Sequence, residues 1–499
     1  MRVVLVTPEL WPYSVESPTA DWAHQLIAMW RQTGHEVAVF SPRYKCVARQ
    51  RYDLVPEARR LRTRLLPRAK EYSIYRLRDS QVPMYFVDKE SLFFRDGLVH
   101  QSDGKLYPDT AQRFAFFLQA ALESLRVLDW EPQIIHAIGW PCASLPWMLQ
   151  GSSWTGFYRS IRTIVTLDHP PAFRRVEHSK DLEDMFGGLK TAICDGGICL
   201  EREAMRTADV VQVLSDTVRS DLVSGRVGSV LQPYSGQRAP FIHALPMSID
   251  TQRWNPTTDP YLAQTYGPER QSGKAANAAL LAESLGVDSL APVALATLNS
   301  PAAIRLFMEL GTHLRDQFQW IGIVPTSLLA FRDAFWTWGF KDVVHDKDDR
   351  ALSRVLGGAQ LLLDLDPYNW TSSLLLKAFR YGVIPVVHQA GAAKDWVIDA
   401  SDETGRANGF VFPFLEQGAI EDALRRVVHA RNQPEHWQML QRHAMRAEVG
   451  ITPHAVSVLT QLAEQVVSGR RVEGIAGGVS VGDATTYPIR WTDEGQPRV

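Results

Sequence analysis

The feature that most constrains this chain is a repeated alternation of short, continuously apolar runs with helix-patterned stretches. Val3-Val4-Leu5-Val6 is the first such run. A strand apolar at every position has to be covered on both faces, as in a parallel sheet. The loop from Pro8 to Pro18 leads into a helical stretch over about 20–33, Gly34-His35 closes it, and residues 36–40 read as a second strand. This β-loop-α-β opening seeds a parallel sheet with right-handed crossovers. Further apolar strands are expected at 84–87, 134–136, 163–167, 210–214 and 242–245. A helix is expected at 110–128, where Phe114, Phe117, Leu118, Ala121, Leu125 and Leu128 recur at helical spacing.

Length then decides the number of such sheets. A chain of 499 residues, 45% hydrophobic and 22% charged, exceeds what one core supports, since domains run to roughly 100–200 residues. Between Asp250 and Gly273 the composition shifts to Trp, Asn, Pro, Thr and Asp, which reads as a linker. A second series follows, with strands at 293–296, 320–324, 361–365, 384–387 and 409–412 and helices at about 274–285, 303–314 and 372–381. The aromatics of 335–340 read as a packed helix end. The expected class is α/β, in two Rossmann-like domains with parallel sheets facing an interdomain cleft, ligand binding at the carboxyl ends of the strands. The boundaries are 1–248 for the first domain, 249–273 for the linker and 274–455 for the second domain. A terminal helix at 456–468 packs back on the first, and 469–499 forms a loose tail.

Charge and cysteine content narrow the partners. Lys+Arg 53 against Asp+Glu 55 leaves a formal net charge of -2, which offers nucleic acid or an anionic membrane no general attraction. An anionic ligand therefore needs a local cationic site. Cys46, Cys142, Cys194 and Cys199 lack zinc-type spacing, so no metal is expected. No apolar run approaches the roughly 18 residues of a membrane helix or an h-region of roughly 7–15, and the expected location is the cytoplasm.

Several segments carry a family resemblance. Met1-Arg-Val-Val-Leu-Val-Thr-Pro-Glu-Leu-Trp-Pro-Tyr13 is similar to the amino terminus of bacterial glycogen synthases and plant starch synthases. Tyr85-Phe-Val-Asp88, Tyr107-Pro-Asp109 with Arg113-Phe-Ala-Phe-Phe117, and Ile135-His-Ala137 with Trp140 follow in that family's order. Most specific are Ile249-Asp250 with Trp254-Asn-Pro256, Thr258-Asp-Pro-Tyr-Leu262 and Gly273-Lys-Ala-Ala-Asn277. Arg380-Tyr-Gly382 with Ile384-Pro-Val-Val387, Thr404-Gly405 and Asn408-Gly-Phe-Val-Phe412 extend the match to about residue 465. The resemblance implies a GT-B fold, metal-free transfer of glucose from ADP-glucose to an α-1,4-glucan with retention at the anomeric carbon, and no cofactor beyond the nucleotide-sugar substrate. In such a reaction cations and N–H groups hold the leaving diphosphate.

Against that pattern the site residues are altered. The family's K-x-G-G-L loop is replaced by Pro12-Tyr-Ser-Val-Glu-Ser-Pro-Thr-Ala-Asp21, with Val15 at the lysine. Its H-x-H-D-W-H motif becomes His136-Ala-Ile-Gly-Trp-Pro141, with Gly139 at the aspartate and His136 and Trp140 retained. At the I-H-N loop either Asp168 or His169 holds the histidine position. In the S-R-L-x-x-Q-K-G segment Thr297 and Ala302 stand for the Arg and Lys, with Arg305 one helical turn on. Asn369 stands for the glutamate of E-P-C-G-L, where Ser372 and Ser373 serve as helix caps. Ala390-Gly-Ala-Ala-Lys-Asp395 replaces T-G-G-L and keeps Gly391 as an anion nest, with Lys394 beside it. Tyr381 is retained within Arg380-Tyr-Gly382.

Two readings stay open. One is a glycogen-synthase-like protein that has lost ADP-glucose transfer and acts as a glucan-binding or regulatory protein, alone or with a protein partner of glycogen metabolism. The other is an active retaining glycosyltransferase whose rebuilt pocket takes ADP-glucose or another nucleotide sugar through Asp168 or His169, Asn369, Arg305 and Lys394.

Overall fold

A computed structural model describes residues 1–63, 69–101, 103–150, 156–169, 176–177, 193–194, 197–287, 291–325, 332–345 and 348–468. The described residues divide into two α/β units, the first made of Met1–Pro246 together with 451–468, the second of Met247–Gly450.

In the first unit the apolar run becomes β1 (Arg2–Val6), followed by α1 (Pro18–Gln32) and β2 (Glu36–Pro42). Next come β3 (Leu54–Arg62), β4 (Glu71–Leu77), β5 (Met84–Asp88) and α2 (Thr110–Val127). The strands β6 (Ile134–Ile138), β7 (Arg162–Thr166), β8 (Val210–Val213) and β9 (Ile242–Ala244) complete a nine-stranded sheet. Its order is β9-β8-β7-β6-β1-β2-β5-β4-β3. Pairing is parallel from β9 to β5, as continuous apolarity demands, with Val3 opposite Val37 and Ile134.

The hairpin β3–β4 departs from this expectation, because both its pairings are antiparallel. Its strands alternate between burial (Tyr72, Ile74) and solvent, and Arg59, Arg60 and Arg62 are exposed. That pattern carries no continuous apolar run to mark it. α2 buries almost its whole circumference, including Phe114, Phe116 and Phe117, each aromatic supplying a large apolar area to the core.

The second unit contains α3 (Ser272–Ser284), β10 (Val293–Thr297), α4 (Pro301–Glu309), β11 (Gln319–Val324) and β12 (Phe340–His345). It continues with α5 (Asp349–Gly358), β13 (Leu361–Asp364), α6 (Ser373–Arg380), β14 (Ile384–His388) and β15 (Phe410–Phe412). The helices α7 (Gln417–Arg431) and α8 (Pro434–Met445) close it. All six strands are parallel, in the order β12-β11-β10-β13-β14-β15.

Three local features differ from the sequence reading. Phe340 begins strand β12 instead of ending a helix, its ring packed on Phe307. The helix expected over 303–314 stops at Glu309, because Leu310 is extended. The stretch 250–273 is packed into the second unit. Trp254 is buried, and the Tyr266 hydroxyl donates to the carbonyls of Tyr381 (2.9 Å) and Gly357 (3.3 Å).

A final helix, α9 (Pro453–Ser468), belongs to the first unit and lies against α1 with Leu459, Leu462 and Ala463 buried. Residues 469–499 lie outside the described residues. Among the described residues no helix is long and apolar enough to cross a membrane.

Candidate functional site

Three loops carry the sequence-predicted positions of the first unit. The loop between β1 and α1 is held by two carboxylates. Glu9, 3% exposed, accepts the N–H groups of Glu16 and Ser17, both at 2.7 Å, and the Ser17 hydroxyl at 2.9 Å. Ser17 in turn caps α1 by accepting from the Thr19 N–H.

Glu16 reaches the other way. It accepts from the N–H groups of Leu98 (2.6 Å), Val99 (3.0 Å) and His100 (3.0 Å), and its carboxylate lies 2.5 Å from the His100 ring. Gly97 makes this wrap possible. Its φ is +83°, and a Cβ there would fall inside the His100 carbonyl. Burial alone would raise the Glu16 carboxyl, but the His100 ring and the backbone donors outweigh it and hold the group below the usual carboxylate range. Val15, at the family's lysine position, sits half-exposed between these anchors.

The second loop follows β6. His136 is wholly buried. The Trp30 indole donates to its Nδ1 (3.3 Å), which places its proton on Nε2, 2.8 Å from the Thr166 hydroxyl. Burial lowers its pKa to about 3, so His136 is a neutral strut within the sheet. Trp140 is buried as well, 4% exposed.

Gly139 has φ +77°, and a Cβ on it would lie 3.3 Å from Asp168 Oδ2 and 3.4 Å from Thr19 Cγ2. Asp168, on the third loop, therefore fills the volume into which an aspartate at position 139 would project. It accepts the Thr19 hydroxyl, is 1% exposed, and lies 3.0 Å from the His169 ring, which keeps 22% of its side chain exposed. Residues 170–175, which complete this loop, lie outside the described residues.

In the second unit the strand ends converge on a carboxylate that sequence reasoning missed. Thr297, closing β10, donates to Asp364 Oδ1 (2.7 Å), and its hydroxyl accepts the Leu365 N–H (2.9 Å). Asn369 donates to Asp364 Oδ2 (2.8 Å) and accepts the N–H (2.6 Å) and hydroxyl (3.0 Å) of Ser372. Asp366 stands two residues beyond Asp364 and accepts from the Asn299 amide (2.9 Å). Burial, and then the neighbouring Asp364 charge, push its carboxyl pKa upward. The signal in the sequence was Asp364-x-Asp366 directly after an apolar strand.

Gly391 pairs with Asn369 across a β-bridge. Its φ of +62° and the adjacent Asn369 carbonyl leave no room for a side chain. Its own carbonyl accepts the Lys394 N–H (3.2 Å), while the Lys394 side chain is half-exposed.

The remaining candidates stand apart from this cluster. Ala302 lies in the first turn of α4, whose N-terminus is already capped by Ser300, and Arg305 is exposed on the same helix. Tyr381 is buried in a separate network. Its hydroxyl donates to Asp259, and its carbonyl receives the Lys274 ammonium at 2.8 Å. Among the described residues no group of three His, Cys, Asp or Glu is placed to hold a metal ion.

Two Rossmann-like units, each with its polar cluster at the carboxyl ends of parallel strands, define a glycosyltransferase architecture of the GT-B type. Along 93% of this chain and 99% of the other, the fold matches the catalytic domain of starch synthase IV from Arabidopsis thaliana, solved with ADP and acarbose, at a TM-score of 0.83 and 20% identity. Residues 2–234 match the starch synthase catalytic domain. Over 466 residues the chain is 26% identical to glycogen synthase 2 of Geobacter sulfurreducens and 27% identical to a glycogen synthase of Syntrophotalea carbinolica. These alignments cover 90% of this chain and 96% and 95% of the relatives. By these matches the chain is similar to the glycogen and starch synthases along about 90% of its length.

Proposed function

We propose that this protein has lost ADP-glucose:α-1,4-glucan transfer and serves glycogen metabolism in the cytoplasm as a glucan-binding or regulatory relative of the synthases. The carrying observation is the Thr297–Asp364 hydrogen bond of 2.7 Å. At the position where the family resemblance calls for a diphosphate-gripping arginine, a hydroxyl is committed to an internal carboxylate.

The charge is thereby inverted from cation to anion. Two charge-assisted hydrogen bonds of about 1.5–3 kcal/mol each correspond to roughly two to four orders of magnitude in affinity or rate. Like-charge repulsion from Asp364 opposes a diphosphate further.

The test is incorporation of labelled glucose from ADP-glucose into glycogen by the purified full chain, beside electrophoresis through a glycogen-containing gel. The expected result is no incorporation with retarded migration. Incorporation that Asn369→Ala abolishes would refute the proposal.

One observation favours a second reading, an active transferase using another nucleotide sugar. Asp168 and His169 form a carboxylate–imidazole pair at 3.0 Å with the ring partly open to solvent. A nucleotide sugar that raises the melting temperature by mass action, an effect lost in His169→Ala, would select it.

A further inference from the structure

Between residues 49 and 78 the sequence holds ten Lys and Arg against three Asp and Glu. This excess of seven positive charges sits in a chain whose formal net charge is -2, so the remainder carries nine net negative charges. The fold places the described part of this segment at one edge of the first sheet, where β3 is the outermost strand.

Three of these cations are used internally. Arg49 pairs with Asp88 (3.0 Å), Arg76 with Glu57 (3.0 Å) and Arg78 with Asp53 (2.8 Å). Arg59, Arg60 and Arg62 on β3 and Lys70 before β4 are exposed, and no carboxylate among the described residues is ion-paired with them.

A sheet edge needs protection against pairing with other chains, and a charge or a bulge supplies it. Here irregularities between Pro56 and Ala58 and between Ala58 and Leu61 already break the β3–β4 register, and Arg60 takes a φ of +55°. The irregular edge is guarded without the arginines. Exposed like charges this close repel one another, so their accumulation calls for a partner.

We propose that the β3–β4 hairpin is a docking surface for an acidic segment of a partner protein. Guanidinium groups present planar forks that match carboxylates two donors at a time. The irregular edge disfavours backbone strand addition, so recognition runs through side chains. The surface is also short: the nine residues of β3 extend about 30 Å at roughly 3.3 Å each. A long nucleic acid would run past it onto a chain that is net negative elsewhere, whereas an acidic segment of about ten residues stays within it.

The test measures anisotropy of a labelled decameric glutamate peptide and of a labelled single-stranded DNA oligonucleotide on the full chain, at low and at physiological salt. The variants are Arg59→Glu/Arg60→Glu/Arg62→Glu and the milder Arg59→Gln/Arg60→Gln/Arg62→Gln, each checked for an unchanged melting temperature. None of these positions belongs to the candidate site. If the charge reversals lower the melting temperature, the glutamine set decides. The expected result is saturable peptide binding that weakens with salt and falls ~10-fold or more in the variants, with the DNA bound more weakly than the peptide. Absence of peptide binding, peptide binding untouched by the substitutions, or tighter binding of the DNA would each overturn the proposal.

Discussion

Replacing Glu16 by alanine should release the segment 97–100 from the loop that precedes α1. The carboxylate accepts three backbone N–H groups, and two of their residues, Leu98 and Val99, are 6% and 3% exposed. A buried N–H left without an acceptor costs about 1–3 kcal/mol. Two such groups give about 2–6 kcal/mol, to which the more exposed His100 adds little. Global unfolding of a chain with two units is a poor gauge of a local loss, so the measurement is amide hydrogen exchange resolved at Leu98 and Val99. Each 1.4 kcal/mol of lost opening free energy is about tenfold in exchange. Glu16→Ala should therefore speed exchange roughly 30-fold or more, with Glu16→Gln intermediate because its amide oxygen still accepts. Protection within about threefold of the parent in Glu16→Ala would refute the assignment of Glu16 as the clamp, since one buried N–H alone is worth more.

The pH dependence has a definite sign. The folded pKa of Glu16 lies below its unfolded value, so the clamp is fully present above about pH 4.5 and is lost as pH falls through the depressed folded value.

Three further outcomes are expected. Gly391→Ala combines a left-handed φ of +62° with a carbonyl in the way of the new Cβ; the backbone term alone is about 1–2 kcal/mol, and thermal unfolding should show the second unit weakened by more than that. His136 is buried with a pKa of about 3, so the unfolded chain binds more protons between pH 3 and the ordinary value near 6.5. Stability of the first unit should therefore fall as pH drops through that window, and denaturant midpoints of His136→Gln should fall less steeply. Gly139→Asp should destabilise rather than restore a family feature, because a carboxylate there meets Asp168 at a position whose φ is +77°; a melting temperature at or above the parent's would contradict this.

The parallel strands were legible because both their faces are covered, so their sequences are apolar without alternation, as in β1, β10, β13 and β14. The hairpin β3–β4 was not. It lies at an edge, alternates, and carries arginines that resemble loop composition. Phe340 was misassigned because a strand start and a helix end bury an aromatic equally well, and only its neighbours β11 and Phe307 decide.

At the site, the family motifs pointed to the loops at the strand ends, but not to the side chains that hold those loops in place. Asp364, Glu9, Glu16 and Thr19 act through partners up to 149 residues away in sequence, and such pairings exist only once the sheets are assembled. Asp168 and His169, the two candidates for one family position, are neighbours at 3.0 Å.

The internal commitments of the second unit lead to a last expectation that separates a missing charge from a cancelled one. If lost cations were the whole defect, Thr297→Arg/Ala302→Lys would recover binding of ADP-glucose. Asp364 argues otherwise. Its Oδ1 lies 2.7 Å from the Thr297 hydroxyl and its Oδ2 is 2.8 Å from the Asn369 amide, so a guanidinium introduced at 297 meets a carboxylate 5% exposed before it meets a ligand. A buried, hydrogen-bonded ion pair of this kind holds its partner by about 3–5 kcal/mol against removal, enough to offset what a single diphosphate contact returns. The double variant should therefore bind ADP-glucose no better than the parent in calorimetric titration. Adding Asp364→Asn, which keeps the acceptor for Asn369 while removing the charge, should expose the gain. Equal affinities of the double and triple variants would show that Asp364 does not govern the charge of this site.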